Sequence, residues 1–416
     1  MQLKEYKLRD IGRVITGKTP ATSNNVNFEG GTIPFYTPED VAKGFDIKSG
    51  NKRFITSLGF EEIKNNTIAG ESVLVGCIGS DMGNVAYVNE ICATNQQINS
   101  ITDFKEFVEP LYVYYLLSTM KPIFRQLAGS TTTPILAKSV FENITISLPR
   151  LETQKRVCKI LSSFDSKIVL NRQINQNLEA LARQLYNYWF VQFDFPDANG
   201  KPYKSSGGKM VYNPILKREI PEGWHCGNLY EIATFTNGLA CQKYRPESNE
   251  ESLRVIKIRE MHEGFSKDTE FVTSNIPETV KVYNGDVLFS WSASLEVMLW
   301  AKGAGGLNQH IFKVTSANDF PKSFYYYQLL NYVSLFKQMA EARKTTMGHI
   351  TQDHLEQSRI AIPDSKEITY QLEGNLAPIF EAIINNESEI SSLTKQRDEL
   401  LPLLMNGQVN FDLSAY

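Results

Sequence analysis

The sequence predicts a mixed α/β (α+β) protein in which one unit, a domain of short strands and helices followed by a long helix, occurs twice. Three observations predict it. The chain repeats itself at an offset of about 213 residues, half its length. Each copy ends in roughly 40 residues with apolar side chains at helical 3-4 spacing. The stretches before those helices alternate short apolar runs with loops rich in Gly, Ser, Thr and Asn.

The repeat is a series of small matches in constant order. Leu8, Ile11 and Gly17 answer Leu229, Ile232 and Gly238, and Val73-Leu74 answers Val287-Leu288. Asn95-Gln96-Gln97-Ile98 answers Asn308-Gln309-His310-Ile311, and Leu116-Leu117 answers Leu329-Leu330. Thr131-Thr132 answers Thr345-Thr346, and Leu148-Pro149 answers Ile362-Pro363. Within each copy, VLVGCIG and VLFSWSA read as strands. PLYVYYLLSTMKPIFRQLA and SFYYYQLLNYVSLFKQMAEA have helical length and spacing. TGKTPATSNN, GSDMGN and AGSTTTP read as exposed loops.

The first long helix is marked by Ile160, Leu161, Phe164, Ile168, Ile174, Leu178, Leu181 and Leu185. The second is marked by Leu376, Ile379, Phe380, Ile383, Ile390, Leu393, Leu400 and Leu404. A 40-residue helix is roughly 60 Å long and needs a partner for its apolar stripe. Residues 151–205 hold 8 basic and 5 acidic side chains, whereas residues 365–416 hold 3 and 8. Opposite charge makes each helix the natural partner of the other, as a coiled-coil-like pair with complementary flanks. Residues 193–224, rich in Gly, Pro, Ser and Lys and without an apolar period, read as a linker.

The whole chain has 416 residues, is 42% hydrophobic and 21% charged, and carries a net charge of −3. That composition is globular, and it allows a local basic face without a basic whole. No apolar run is long enough for a membrane span, and MQLKEYKLRD lacks the apolar core of an export signal, so a cytoplasmic location is expected. Cys77, Cys92, Cys158, Cys226 and Cys241 show no CxxC spacing and read as reduced, mostly packed thiols.

No credible active site emerges. Residues 12–19, GRVITGKT, match the phosphate-loop pattern GxxxxGK[ST] letter for letter. The chemistry needs a strand before the loop and a helix at its Lys-Thr. Here Pro20 and ATSNN follow, and the second copy around Gly238 drops the lysine. VGCIGSDMG is a weak glycine-rich pattern whose counterpart FSWSASLEV has no glycine. Asn213-Pro214 matches half of an amino-methyltransferase motif, without its second proline or aromatic residue. The histidines, His225, His262, His310, His349 and His354, do not sit at metal-ligand spacing. A stand-alone ATPase or methyltransferase is therefore disfavoured, and no cofactor or metal is expected in this chain.

The loops instead carry side chains suited to reading DNA. Asn and Gln pair twice with adenine, Arg and Lys with guanine, and hydroxyls reach bases or phosphates. The first half offers Lys18, Thr19, Ser80, Asp81, Asn84, Gln96, Gln97, Thr131, Thr132 and Thr133. The second offers Lys243, Tyr244, Arg245, Lys257, Arg259, Ser292, Ser294, Gln309, His310, Arg343, Lys344, Thr345 and Thr346. The sets fall at matching places with different identities, as two related readers of different words would. A scaffold that binds only protein is the alternative.

Three stretches resemble the specificity subunits of Type I restriction-modification enzymes, over the whole chain. They are LPRLETQKRVCKIL at 148–161, with Asp165, Asn171, Leu178, Glu179, Trp189 and Phe190 after it; FDFP…GKPY…SGGKMV…REIPEGW; and RDELLPLLMNGQV at 397–409. IPDSKEITYQLEG departs from the pattern by lacking the usual Glu-Gln pair, which leaves the register of the second helix open. The resemblance implies target-recognition domains at 1–150 and 225–364, antiparallel conserved-region helices at 151–192 and 365–416, and a linker at 193–224. Each domain would read one half of a split, asymmetric site in double-stranded DNA. The helices would fix the unread spacer and dock two adenine-methylating modification subunits, joined by two motor-nuclease subunits. S-adenosylmethionine, ATP and Mg are expected in those partners.

Overall fold

The structure is a computed structural model and describes residues 3–79, 81–129, 134–292, 294–342, 350 and 352–408. The chain divides into two compact units, residues 1–169 with 393–416, and residues 170–392. Each unit contains one mixed domain and portions of both long helices. It is a mixed fold of strands and helices with an internal repeat, as the sequence predicts.

In the first unit, six strands form one sheet. Their order is Arg13–Thr16, Ile98–Thr102, Thr67–Gly76, Val85–Thr94, Ile33–Tyr36 and Phe54–Ile55. All neighbours are antiparallel except Ile33–Tyr36 beside Val85–Thr94. The helix Pro110–Ser118 packs on this sheet through buried Tyr112, Val113 and Tyr115. The sequence predicts one helix over 110–128. The structure breaks it after Ser118 and restarts it at Lys121, because Pro122 cannot donate into an unbroken helix.

The second unit repeats the topology in two four-stranded sheets. One runs Ala233–Asn237, Ile311–Ser316, Val287–Ser290, Glu296–Leu299. The other runs Phe271–Thr273, Ser252–Ile256, Gly305–Leu307, Lys281–Val282. Here the two long central strands of the first domain are each split in two. The interruption between Leu299 and Gly305 includes Gly303 at φ +97°, a conformation that favours glycine.

Both domains close the same way. The strand Lys4–Lys7 pairs antiparallel with Thr145–Leu148, and Trp224–Gly227 pairs with Ile360–Pro363. A four-residue helix follows each first strand, Leu8–Ile11 and Leu229–Ile232. Leu8, Ile11, Leu229 and Ile232 are its buried residues, which explains why these positions repeat. The closed sheet then delivers the chain through Pro149 or Pro363 into a long helix.

The long helices are Leu151–Tyr186, continued by one π turn at Asn187–Val191, and Glu367–Met405. They run antiparallel in each unit. In the first unit Arg397 Nη1 lies 2.7 Å from Asp165 Oδ1, and Tyr115 donates to Asp165 Oδ2 at 2.7 Å. In the second, Asn171 donates to Glu389 at 2.9 Å, and Asn175 donates to Glu387 at 3.0 Å and accepts from Asn386 at 2.8 Å. Among the contacts described, the expected charge complementarity is represented by the Arg397–Asp165 ion pair and by amide hydrogen bonds. Each long helix is also tied near its start to a helix of its own domain. Gln154 accepts from Glu109 N at 2.8 Å, just before the helix Pro110–Ser118. Its role in the second copy falls to Glu373, which accepts from Ser323 N at 2.8 Å, in the first turn of the helix Lys322–Ala342.

Residues 193–224 are not a linker but a folded module within the second unit. Phe193 and Phe195 are buried, and Phe195 stacks on Tyr203 and Trp224. The Arg218 guanidinium covers the Phe193 ring at 4.7 Å. Asp194 accepts from the backbone and hydroxyl of Ser205 at 2.7 and 2.6 Å. A hairpin of Met210–Asn213 with Arg218–Pro221 ends in exposed Val211, Tyr212 and Ile215. No helix among the described residues is long and apolar enough to cross a membrane.

Arg397→Ala leaves the buried Asp165 carboxylate without its cation, and is expected to lower the unfolding free energy by about 2–4 kcal/mol in urea. Tyr115→Phe, which removes a hydrogen bond to that buried carboxylate, is expected to cost about 1.5–3 kcal/mol. His225 bridges Asp364 at 2.6 Å and Glu231 at 3.3 Å. Partial burial alone would lower its pKa, but the hydrogen bonds and charges of the two carboxylates outweigh this and raise it. Its stabilisation is thus fully present below the ordinary histidine pKa and is lost as pH rises through the raised value. His225→Gln should accordingly destabilise the protein more at pH 5.5 than at pH 8.5 when melting is compared at the two pH values.

Candidate nucleic-acid interface

The repeated motif Asn-Gln-Gln/His-Ile forms the same turn in both domains. The Asn95 carboxamide oxygen accepts from Gln97 N at 3.1 Å, and that of Asn308 accepts from His310 N at 3.3 Å. An Asn side chain that folds back two residues favours such a turn. Gly17 N donates to Ile98 O at 3.0 Å, and Gly238 N to Ile311 O at 3.1 Å. A Cβ on Gly17 would lie 2.2 Å from Asn95 O, and one on Gly238 would lie 2.2 Å from Asn308 O. The repeating glycine is therefore demanded by backbone packed on backbone, not by φ.

Two further loops join this frame at matched hydrogen bonds. Cys77 N donates to Gln97 O at 2.8 Å, and Trp291 N to His310 O at 3.4 Å. Leu136 N donates to Cys77 O at 2.9 Å, and Ile350 N to Trp291 O at 3.0 Å. In each domain, then, the segments after the first sheet strand and after the central strand, the Asn-Gln turn, and Leu136 or Ile350 are joined by matched main-chain hydrogen bonds. The main chain is duplicated there together with Gly17/Gly238, Asn95/Asn308 and Gln96/Gln309, while other side chains on the frame differ. Lys18, Thr19, Cys77 and Gln97 in the first domain stand where Leu239, Ala240, Trp291 and His310 stand in the second.

The expected DNA-reading residues distribute unevenly around this frame. In the first domain Lys18 and Gln96 are exposed, Gln97 is half-buried, and the Thr19 hydroxyl lies 2.9 Å from Gln96 Oε1. Asp81 and Asn84 are half-buried in the adjoining turn, and Lys121 donates to Asn84 at 2.6 Å. Burial, then the charge of Arg125, holds the Lys121 ammonium below the ordinary lysine range. Burial pushes the Cys77 thiol up to about 12, so it sits neutral beneath the turn.

In the second domain Gln309 is half-buried and His310 is exposed, with its ring 5.7 Å from Trp291. Lys243, Tyr244 and Arg245 are exposed just beyond Cys241, whose thiol contacts Leu307 O. Lys257 and Arg259 are committed elsewhere. Lys257 pairs with Glu270 at 2.6 Å, and this hydrogen bond, then its charge, holds the Glu270 carboxyl below the usual range. Arg259 pairs with buried Glu260 at 2.7 Å. Ser292 is 7% exposed, and the Ser294 hydroxyl is buried with no partner among the described residues. Neither serine presents its side chain to a groove. Ser80, Thr131, Thr132, Thr133, Arg343, Lys344, Thr345 and Thr346 lie outside the described residues.

The sequence reading overlooked Asn237. It is exposed at the end of the strand Ala233–Asn237, and Trp291 Nε1 donates to its Oδ1 at 3.3 Å. Its lone signal in the sequence is adjacency to the repeating Gly238. The phosphate-loop pattern fails in three dimensions, because Arg13–Thr16 is a strand inside the motif rather than before it.

Comparison with known proteins places this geometry in a family. The model of the Type I restriction modification DNA specificity domain matches residues 2–180 and again 221–397. The chain therefore belongs to the specificity subunits of Type I restriction-modification systems. It is 28% identical over 423 residues to the specificity subunit of the Type I restriction enzyme MjaIX of Methanocaldococcus jannaschii, covering 98% of this chain and 93% of that one. It is 22% identical to the HindI specificity subunit of Haemophilus influenzae, covering 98% and 99%. The crystal structure of the S subunit of a Type I system from M. genitalium shares the fold at a TM-score of 0.59 and 13% identity, covering 97% of this chain and 96% of that one.

The glycine frame is open to test by melting. Gly17→Ala and Gly238→Ala force backbone apart and are each expected to cost about 3 kcal/mol or more. Gly374→Ala, inside the second long helix with open space around its Cβ, should instead stabilise by about 1 kcal/mol.

Proposed function

We propose that each mixed domain reads one half of a bipartite, asymmetric site in double-stranded DNA through the loops gathered at its Asn-Gln turn. The observation that carries this reading is a main-chain frame made twice with different side chains upon it. Residues 1–150 would read one half and residues 225–364 the other. Lys18, Gln96 and Gln97 in the first domain, and Gln309, His310, Lys243, Tyr244 and Arg245 in the second, are exposed or half-buried beside the frame and suit base edges or phosphates. Phosphate contacts would add affinity without sequence preference.

In this reading the long helices set the unread spacer and dock two modification subunits. The first helix supports the docking role, because its covered face is not its only apolar one. Leu170 is 55% and Leu181 54% exposed, and Ile174 and Tyr188 are exposed on the same side. Their spacing of 4, 7 and 7 residues is that of a coiled-coil seam awaiting a helix. Adenine methylation, with S-adenosylmethionine, would belong to those subunits. Translocation and cleavage, with ATP and Mg, would belong to two motor-nuclease subunits. This chain would contribute no catalytic group.

Exchange of residues 225–364 for those of another specificity subunit tests the division of labour. With the modification partner present, sequencing of methylated DNA should show one half-site altered and the other kept. Alteration of both halves, or of neither, would refute it.

A further inference from the structure

Asn237 differs from the other polar residues at the second domain's frame in how it is held. An indole N–H can only donate. The atom of Asn237 that faces Trp291 Nε1 at 3.3 Å is therefore its oxygen, and the orientation of the carboxamide is fixed. Trp291 itself is anchored at both ends of its backbone, by its N–H to His310 O and by its carbonyl to Ile350 N. Its ring lies 5.7 Å from that of His310 and 5.9 Å from that of buried Phe312. Asn237 is thus an exposed amide on a rigid strand end, oriented by a half-buried tryptophan 54 residues away.

The oxygen keeps a second lone pair, and among the described residues the amide nitrogen makes no hydrogen bond. An acceptor and a donor side by side, in one plane, match the N6 amino group and N7 of adenine in the major groove. They match no other base edge as a pair there: guanine offers two acceptors, cytosine a donor alone, and thymine an acceptor beside a methyl group. The counterpart position in the first domain is Thr16, whose hydroxyl is turned inward onto Asn99 at 2.6 Å. The first domain therefore has no such amide at this position.

We propose that Asn237 reads an adenine in the second domain's half-site, and that Trp291 is the positioning residue that fixes its amide. The inference rests on the reading of residues 225–364 as a DNA-recognition domain. It assigns one base of that half-site to one side chain.

The test uses the full chain in complex with its modification partner, and compares Asn237→Ala and Trp291→Phe with the unaltered complex. Methylated sites are mapped by sequencing, and binding is measured on duplexes that carry each base in turn at every half-site position. Asn237→Ala should relax one adenine position of one half-site by about 10- to 100-fold, and leave the other half-site unchanged. Trp291→Phe keeps an aromatic ring but removes the donor, and should relax the same position by a smaller factor. Relaxation at a different position, or a uniform loss of binding to all sequences, would overturn the positioning role of Trp291. If Trp291→Phe lowers the melting temperature, Asn237→Ala, at an exposed side chain, decides the assignment of the base alone. If neither variant changes any preference while exchange of residues 225–364 still does, Asn237 is not the reader and the domain assignment stands. If the exchange also changes nothing, both readings fall.

Discussion

Each mixed domain depends on the pairing of its first strand with its last. Lys4–Lys7 on Thr145–Leu148, and Trp224–Gly227 on Ile360–Pro363, bring the two ends of about 140 residues side by side. Two consequences come from this closure. The short helix that follows the first strand is tied to the segment before the last, as when Leu8 N donates to Ile144 O and Leu229 N to Ser358 Oγ. The chain also leaves each domain at a defined point, at Pro149 or Pro363, shortly before a long helix begins. Without the closure, neither the buried faces of the short helices nor the start of the long ones would be fixed.

Much of this was legible in the sequence because the repeat records contacts rather than composition. Gly17 and Gly238 recur since no side chain fits against the Asn95 or Asn308 carbonyl. The Asn-Gln turns recur since the asparagine side chain closes them. The long helices declared themselves through apolar spacing. Residues 193–224 were misread because their buried aromatics, Phe193, Phe195, Tyr203 and Trp224, follow no period, and turn-forming residues surround them. Ser292 looked like a loop residue and is buried, since strand-flanking positions expose or hide a side chain according to packing that one chain segment does not reveal. Asn237 was missed for a related reason. Its significance comes from Trp291, which is close in space and distant in sequence.

The pairing of the long helices shows how polar groups can fix alignment where apolar ones only favour association. Ile168, Leu376, Phe380, Ile383 and Ile390 are buried, and a shift by one turn would still bury much of that surface. The same shift would strand the Asp165 carboxylate from Arg397, and the Asn171 and Asn175 amides from Glu389 and Glu387. Buried polar groups without partners are costly, so these few contacts select one alignment among several similar ones.

Among the described residues, the hairpin module is seen after the first long helix alone. The family model matches residues 2–180 and 221–397, so the hairpin lies in the interval between two otherwise equivalent matches. A perfectly duplicated chain would be chemically the same read from either of its halves. With the module present, and its Val211, Tyr212 and Ile215 exposed, the chain has a handle on one half alone. Beside the split sheets and the exchanged loop side chains, this module is a further feature by which the described halves differ.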